Sequence, residues 1–173
     1  MKKVLWIWGW FCLNFSLYSQ DIDTTTYQGK YEYAYQQRIR MTHINGSYIP
    51  KDLDDAMIHL DRVVEEGGKK RFAMQPEDEA VRKMHFSFGR WMVMHWGFYE
   101  GSRLSHFLKK KGISYPDDMA SVLMRCYHRK LNNKPLQFEE LAAEIEEKRR
   151  KEMEERLQQG EIIEKLPAKV EKQ

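Results

Sequence analysis

Between Arg90 and Leu131 the chain reads RWMVMHWGFYEGSRLSHFLKKKGISYPDDMASVLMRCYHRKL, and this stretch leaves little freedom in how it can fold. Two apolar patterns of helical period sit side by side in it, preceded by an aromatic turn between Gly97 and Gly101. The first pattern starts at Ser102, a hydroxyl residue suited to an N-cap, carries Leu104, Phe107 and Leu108, and stops at Gly112 behind three lysines. Lysines in a last turn complement the negative end of a helix, and glycine supplies the left-handed exit. The second opens at Pro116 with Asp117 and Asp118 in its first turn. Its stripe is Met119, Val122, Leu123, Cys126, Tyr127 and Leu131, ending at Asn132-Asn133.

The same reading extends in both directions. Tyr27, Tyr31 and Tyr35, four apart, form one aromatic face on a helix, which docks on the core or meets a partner. Asn45-Gly46-Ser47 signals a turn, and Tyr48-Ile49-Pro50 enters extended. Asp52 is an N-cap for a helix over Leu53 to Glu66, closed by Gly67-Gly68, after which Lys69 to Gln75 reads as a basic loop. Pro76 and the acids at 77–79 open the next helix, whose stripe runs through Val81, Met84, His85, Phe88, Trp91 and Met92. As the most apolar helix it is expected to be central.

Phe138 to Gln159 is a charged helix with acid-before-base pairs at a spacing of four: Glu144 with Lys148, Glu146 with Arg150, Glu147 with Lys151, and Glu152 with Arg156. Its apolar residues Phe138, Leu141, Ala142 and Ile145 lie at its start, so it should dock by its first turns and project. From Gly160 the composition predicts a disordered tail over 160–173. No sustained β alternation occurs. The class is therefore all-α, a small irregular bundle of about five helices with a long charged C-terminal one.

The first nineteen residues read as a signal peptide. Met1-Lys2-Lys3 is a positive start, Val4 to Leu13 an apolar run, and Leu17-Tyr18-Ser19 an exit before Gln20. Asn14 and Ser16 interrupt the run short of the ~20 residues a membrane span needs, so no stable span is expected after cleavage. Trp10 and Phe11 before Cys12 argue against a lipoprotein site. Cleavage removes Lys2, Lys3 and no acid, taking the formal charge from +3 to +1, which is no electrostatic footprint for nucleic acid. It also leaves Cys126 as the sole cysteine, on an apolar stripe, so its plain role is a small buried hydrophobe. The expected segments are thus 1–19 leader, 20–46 Tyr-rich helical segment, 47–135 helical domain, 136–159 charged helix and 160–173 tail.

From Tyr48 to Leu131 the chain resembles an uncharacterised family of bacterial domains of unknown function, common in exported proteins of Bacteroidetes-type bacteria. Ile49-Pro50-Lys51-Asp52-Leu53, Trp96-Gly97, Gly101-Ser102-Arg103-Leu104-Ser105, Gly112-Ile113, Pro116-Asp117-Asp118-Met119 and Tyr127-His128-Arg129 carry the resemblance. Members tend to have polar Arg-Asn residues before the Trp-Gly, where this chain has Val93-Met94-His95. The resemblance implies export and domain limits and brings no activity.

Candidate chemistry is sparse. His85, His95, His106 and His128 form no one-turn histidine pair of the zinc-helix kind, so no metal or other cofactor is expected, and His85 reads as a hydrogen-bonded core residue. Arg103 either locks onto Asp117 or Asp118, joining two helix starts, or binds an anion with the amides of the Ser102 helix. Adjacent Asp117 and Asp118 diverge on a helix, which suits capping better than catalysis. Trp96, Phe98 and Tyr99 are the turn aromatics expected to be exposed and, with Arg103, to bind.

The leading expectation is a non-catalytic exported module working through contact with a protein partner in the periplasm or at the cell surface. The alternative is an enzyme or small-ligand or anion binder using His85, Arg103 and His128 near Trp96. An immunity-type inhibitor of a secreted toxin fits size and build alone.

Overall fold

The structure, a computed structural model, describes residues 24–164. The predicted leader and residues 165–173 of the predicted tail lie outside the described residues. Two compact units divide the chain, 1–33 and 34–173. In the first, Thr26 opens helix α1 (Tyr27–Arg38) by accepting the Gly29 backbone N–H on its hydroxyl at 3.0 Å. Tyr27 and Tyr31 of the expected aromatic face are exposed.

In the second unit, the half-buried Tyr35 shares a 3.0 Å hydrogen bond with Nδ1 of His106. A two-residue hairpin follows, β1 (His43–Ile44) against β2 (Ser47–Tyr48), with Ile44 opposite Ser47. Its turn needs positive φ at both central positions, and Asn45 (49°) and Gly46 (78°) meet that need. The chain enters α2 (Leu53–Val63) through Asp52, whose carboxylate accepts the Asp55 N–H, as expected from the sequence.

Helix α3 (Glu66–Ala73) corrects one expectation. Gly67 and Gly68 do not close α2; they lie in the first turn of α3, and the predicted basic loop is mostly helix. The break comes earlier, where Val64 turns extended (φ −87°, ψ 122°). Phe72 gives the reason. It is buried against Phe88, Tyr127 and His128, at 5.9, 6.3 and 5.5 Å between ring centroids. Burying a phenylalanine is worth ~1.5–3 kcal/mol, which offsets the ~1 kcal/mol that each of the two helical glycines costs.

Helix α4 is three pieces in continuous register: Glu77–Met84, a π-helical turn His85–Gly89, and Arg90–His95. In the turn the Arg90 N–H reaches back five residues to the His85 carbonyl. Gly89 accommodates it, because a Cβ there would stand 3.0 Å from the Met124 methyl. Helix α5 (Arg103–Lys110) has a capping box between Ser102 and Ser105, α6 (Pro116–Leu131) starts on its proline, and α7 (Phe138–Glu164) is the charged helix.

These make seven helices among the described residues, all-α apart from the hairpin, rather than about five. The central helix is α6 and not α4: α6 touches α2, α3, α4, α5 and α7, and buries Met119, Val122, Leu123, Met124, Cys126 and Tyr127. Helix α4 turns one face outward at its π-helical turn. Helix α7 docks through Phe138, Leu141 and Ala142 as its pattern predicts, and runs five residues past the predicted end at Gln159. No helix among the described residues is long and apolar enough to cross a membrane.

Candidate functional site

The polar residues singled out by sequence are held in three separate settings. Arg103, first residue of α5, donates from Nε to the Ile49 carbonyl at 2.7 Å and lies over the Tyr48 ring, 5.3 Å from its centroid. Its Nη2 is 3.9 Å from Asp55 Oδ2, which also accepts the Tyr48 hydroxyl at 2.7 Å and the Lys51 N–H at 2.9 Å. Burial pushes the Asp55 carboxyl up, but the bonds from Tyr48 and Lys51 and the charge of Arg103 outweigh it and hold the group below the usual carboxylate range. Arg103 therefore locks α5 to the hairpin and α2, and the expected pairing with Asp117 or Asp118 is not made. Asp55 lies half a domain away in sequence, and neither periodicity nor spacing points to it.

His128 is buried in α6. Its Nε2–H donates to the Gln75 carbonyl at 2.9 Å, which fixes the tautomer and leaves Nδ1 without a hydrogen-bond partner, 4.0 Å from Glu77 Oε2. Glu77 is itself clamped by Arg129 (2.9 Å at both oxygens) and Arg125 (3.1 Å). Burial raises its carboxyl, yet the two arginines carry it below the ordinary range.

His85 is half-buried on the π-helical turn, with Nε2 3.8 Å from Asp117 Oδ1. Asp118 points the other way, accepting both guanidinium branches of Arg149 at 2.7 and 2.9 Å. Neighbouring helix-start acids do diverge, as their sequence positions imply.

His95, His106 and Cys126 are likewise accounted for. His95 Nδ1 donates to the Trp91 carbonyl at 3.0 Å. Burial, with Lys110 and Lys109 close by, lowers the pKa of His106. Burial pushes the Cys126 thiol up to about 12, the state of an inert core cysteine. Among the described residues no group of three or more His, Cys, Asp or Glu side chains could hold a metal ion.

The turn aromatics divide. Trp96 and Phe98, expected at the surface, are each 1% exposed, while Tyr99 is 57% exposed. Gly97, at φ +61°, folds the chain back so that the Phe98 N–H reaches the Val93 carbonyl at 3.0 Å. That reversal buries Trp96 against Trp91, Phe98 and His59, at 5.6, 6.1 and 6.2 Å. Sequence position at a turn says nothing about which way the reversal faces.

Phe86 is a surface residue that the sequence pattern does not single out. It stands 85% exposed on the π-helical turn. With Tyr99 and Arg90 it walls a shallow cavity of about 150 Å³ whose floor includes Val93 and whose side is the His85–Asp117 pair. Arg82 and Arg90, four residues to either side of Phe86, are exposed and form no salt bridge among the described residues. A signal for it exists in HFSFG: Phe86 lies off the stripe that contains Phe88, and an aromatic on the polar face of a helix calls for an explanation.

Fold and site together define an all-α domain whose candidate polar residues are tied into scaffold pairs and whose conspicuous free surface is aromatic and basic. The family described as "Domain of unknown function (DUF6794)" matches residues 49–131. The match spans α2 to α6 and leaves α1, the hairpin and α7 outside. No curated protein and no solved structure matches the chain.

Proposed function

We propose that the chain is an exported, non-catalytic helical module that works in the periplasm or at the cell surface by contacting a protein partner through the Phe86 surface. The observation that carries this reading is an aromatic side chain held 85% exposed on a π-helical turn, with Tyr99 beside it. Covering such a ring with a partner is worth ~1.5–3 kcal/mol, the size of an interface anchor. Arg82 and Arg90 frame it, so the complementary surface is acidic, and association slows as salt is added. The separate engagement of His85, Arg103 and His128 supports contact over turnover. Export rests on the leader-like residues 1–19 and on the bacterial exported proteins that the family resemblance suggests.

The test pairs the wild-type chain with a Phe86→Ser/Tyr99→Ser variant in pull-downs from envelope extract. A partner held by the wild type and lost from the variant is the expected result; identical capture by both overturns the reading. Fractionation with N-terminal sequencing checks export: an envelope protein starting at Gln20 is expected, and a cytoplasmic one starting at Met1 refutes it.

A further inference from the structure

A second cleft, on the far side of the glycine turn, is built in another way. It encloses about 360 Å³, the low end of the range in which small molecules bind. One wall comes from the hairpin and the end of α1, residues 38–47, and the other from the end of α4 and the turn, residues 94–100. Only the second wall lies within the stretch that matches the family.

Its central group is Arg38. The guanidinium is oriented by a 2.9 Å bond from Nε to the Gly101 carbonyl, and it passes close to Gly97, where a Cβ would stand 3.0 Å from Nη2. A side chain at Gly97 would crowd it. Its Nη2 is 3.7 Å from Glu100 Oε2, an ion-pair distance beyond hydrogen-bond length, and its Nη1 has no partner among the described residues. The donor fork is thus fixed in place and still free to bind.

Opposite charges side by side in one cleft disfavour a simple anion, which Glu100 would repel, and a simple cation, which Arg38 would repel. A zwitterion satisfies both. In an α-amino acid the carboxylate and ammonium share one carbon and are separated by about the length of a hydrogen bond, ~3 Å. The neutral Asn45 and Ser47 side chains line the same space, as does His95, whose Nδ1–H is committed to the Trp91 carbonyl. Ile44 and Met94 supply an apolar wall for a side chain. We infer that this cleft binds a free α-amino acid with an apolar side chain, its carboxylate on Arg38 and its ammonium on Glu100.

Calorimetric titration of the purified chain with L-leucine, leucinamide and N-acetyl-leucine tests the assignment. Leucine should bind saturably, and each analogue, lacking one of the two charges, about tenfold or more weakly. Glu100 is largely exposed, so Glu100→Gln leaves the fold intact; it should weaken leucine about tenfold and, by removing a like charge, bind N-acetyl-leucine no more weakly than the wild type does. Arg38→Lys, checked for native helicity by circular dichroism, should abolish binding of both. No saturable binding of leucine, equal binding of leucine and N-acetyl-leucine, or wild-type affinity in Glu100→Gln would each overturn it. None of these results bears on the Phe86 surface, whose cavity shares no side chain with this cleft.

Discussion

Helices α6 and α7 are both long and both charged, and they are held by opposite means. Helix α6 has sixteen residues, eight of them buried, and its surface arginines close on Glu77 of α4. Helix α7 has 27 residues, about 40 Å at 1.5 Å each, and among its described side chains buries only Phe138, Leu141 and Ala142. Beyond Ile145 it is held to the body by Arg149, which grips Asp118 and lies over the Tyr115 ring, 4.3 Å from the centroid. The remainder is sustained by local pairs such as Arg150 with Glu147 and Glu154, each worth ~0.3–0.5 kcal/mol. One helix is therefore stabilised by tertiary burial and the other by its own surface. The contrast separates a scaffold from an arm.

The largest effect should come from Leu123→Ala at the fully buried middle of α6, a loss of ~2–5 kcal/mol in chemical denaturation. A loss under ~1 kcal/mol would remove α6 from the centre of the fold.

Next is Glu77→Gln, which leaves Arg129 without its carboxylate and Arg125 with Asp78 alone, and should cost ~1–3 kcal/mol at neutral pH. The same residue gives a pH dependence. Its folded carboxyl titrates below the unfolded one, so the stabilisation is complete above the unfolded pKa of ~4.3 and is lost as pH falls through the folded value. Denaturation curves between neutral and acid pH should converge for wild type and Glu77→Gln. Parallel curves would mean that the clamp contributes nothing.

Asp118→Asn should cost ~1 kcal/mol or less, yet it discriminates sharply between the helices. Amide exchange should quicken in α7 beyond Ile145 and stay unchanged in α6; faster exchange in both would make them one cooperative unit. Smallest is Leu157→Ala on the exposed end of α7, within ~0.5 kcal/mol of wild type in the same denaturation assay. A larger loss would reveal that the arm is packed.

Much of this architecture is legible in the residues alone. The caps at Asp52 and Ser102, the Pro116 start and the docking of α7 by its first turns all follow from residues within about one turn of each other. Within α7 the positions of charge are readable and the pairings are not. Of the four acid-before-base pairs that the spacing predicts, Glu147 with Lys151 forms (3.3 Å), while Lys148 pairs with Glu152 and Arg150 with Glu147 and Glu154. Exposed long side chains have several partners of nearly equal energy. The candidate site is the least legible part. Arg103 is a locking residue, as its position suggests, but it locks onto Asp55 and not onto Asp117 or Asp118; Trp96 and Phe98, expected outside, are core.

By itself the sequence determined the helical class, the starts of α2, α5 and α6, and the left-handed positions at Gly46, Gly97, Gly101 and Gly112. Those are matters of short-range sterics and of hydrogen bonds that close within four residues. Only the tertiary structure decided that Gly67-Gly68 is helical, that Arg103 meets Asp55, that α6 is central and that Phe86 faces out. Each depends on which distant surface is available to pack against, and the local period of a pattern carries no information about that. Gly101 joins the two levels: its positive φ is a local need, and the Tyr35 ring packed where a Cβ would stand is a tertiary one.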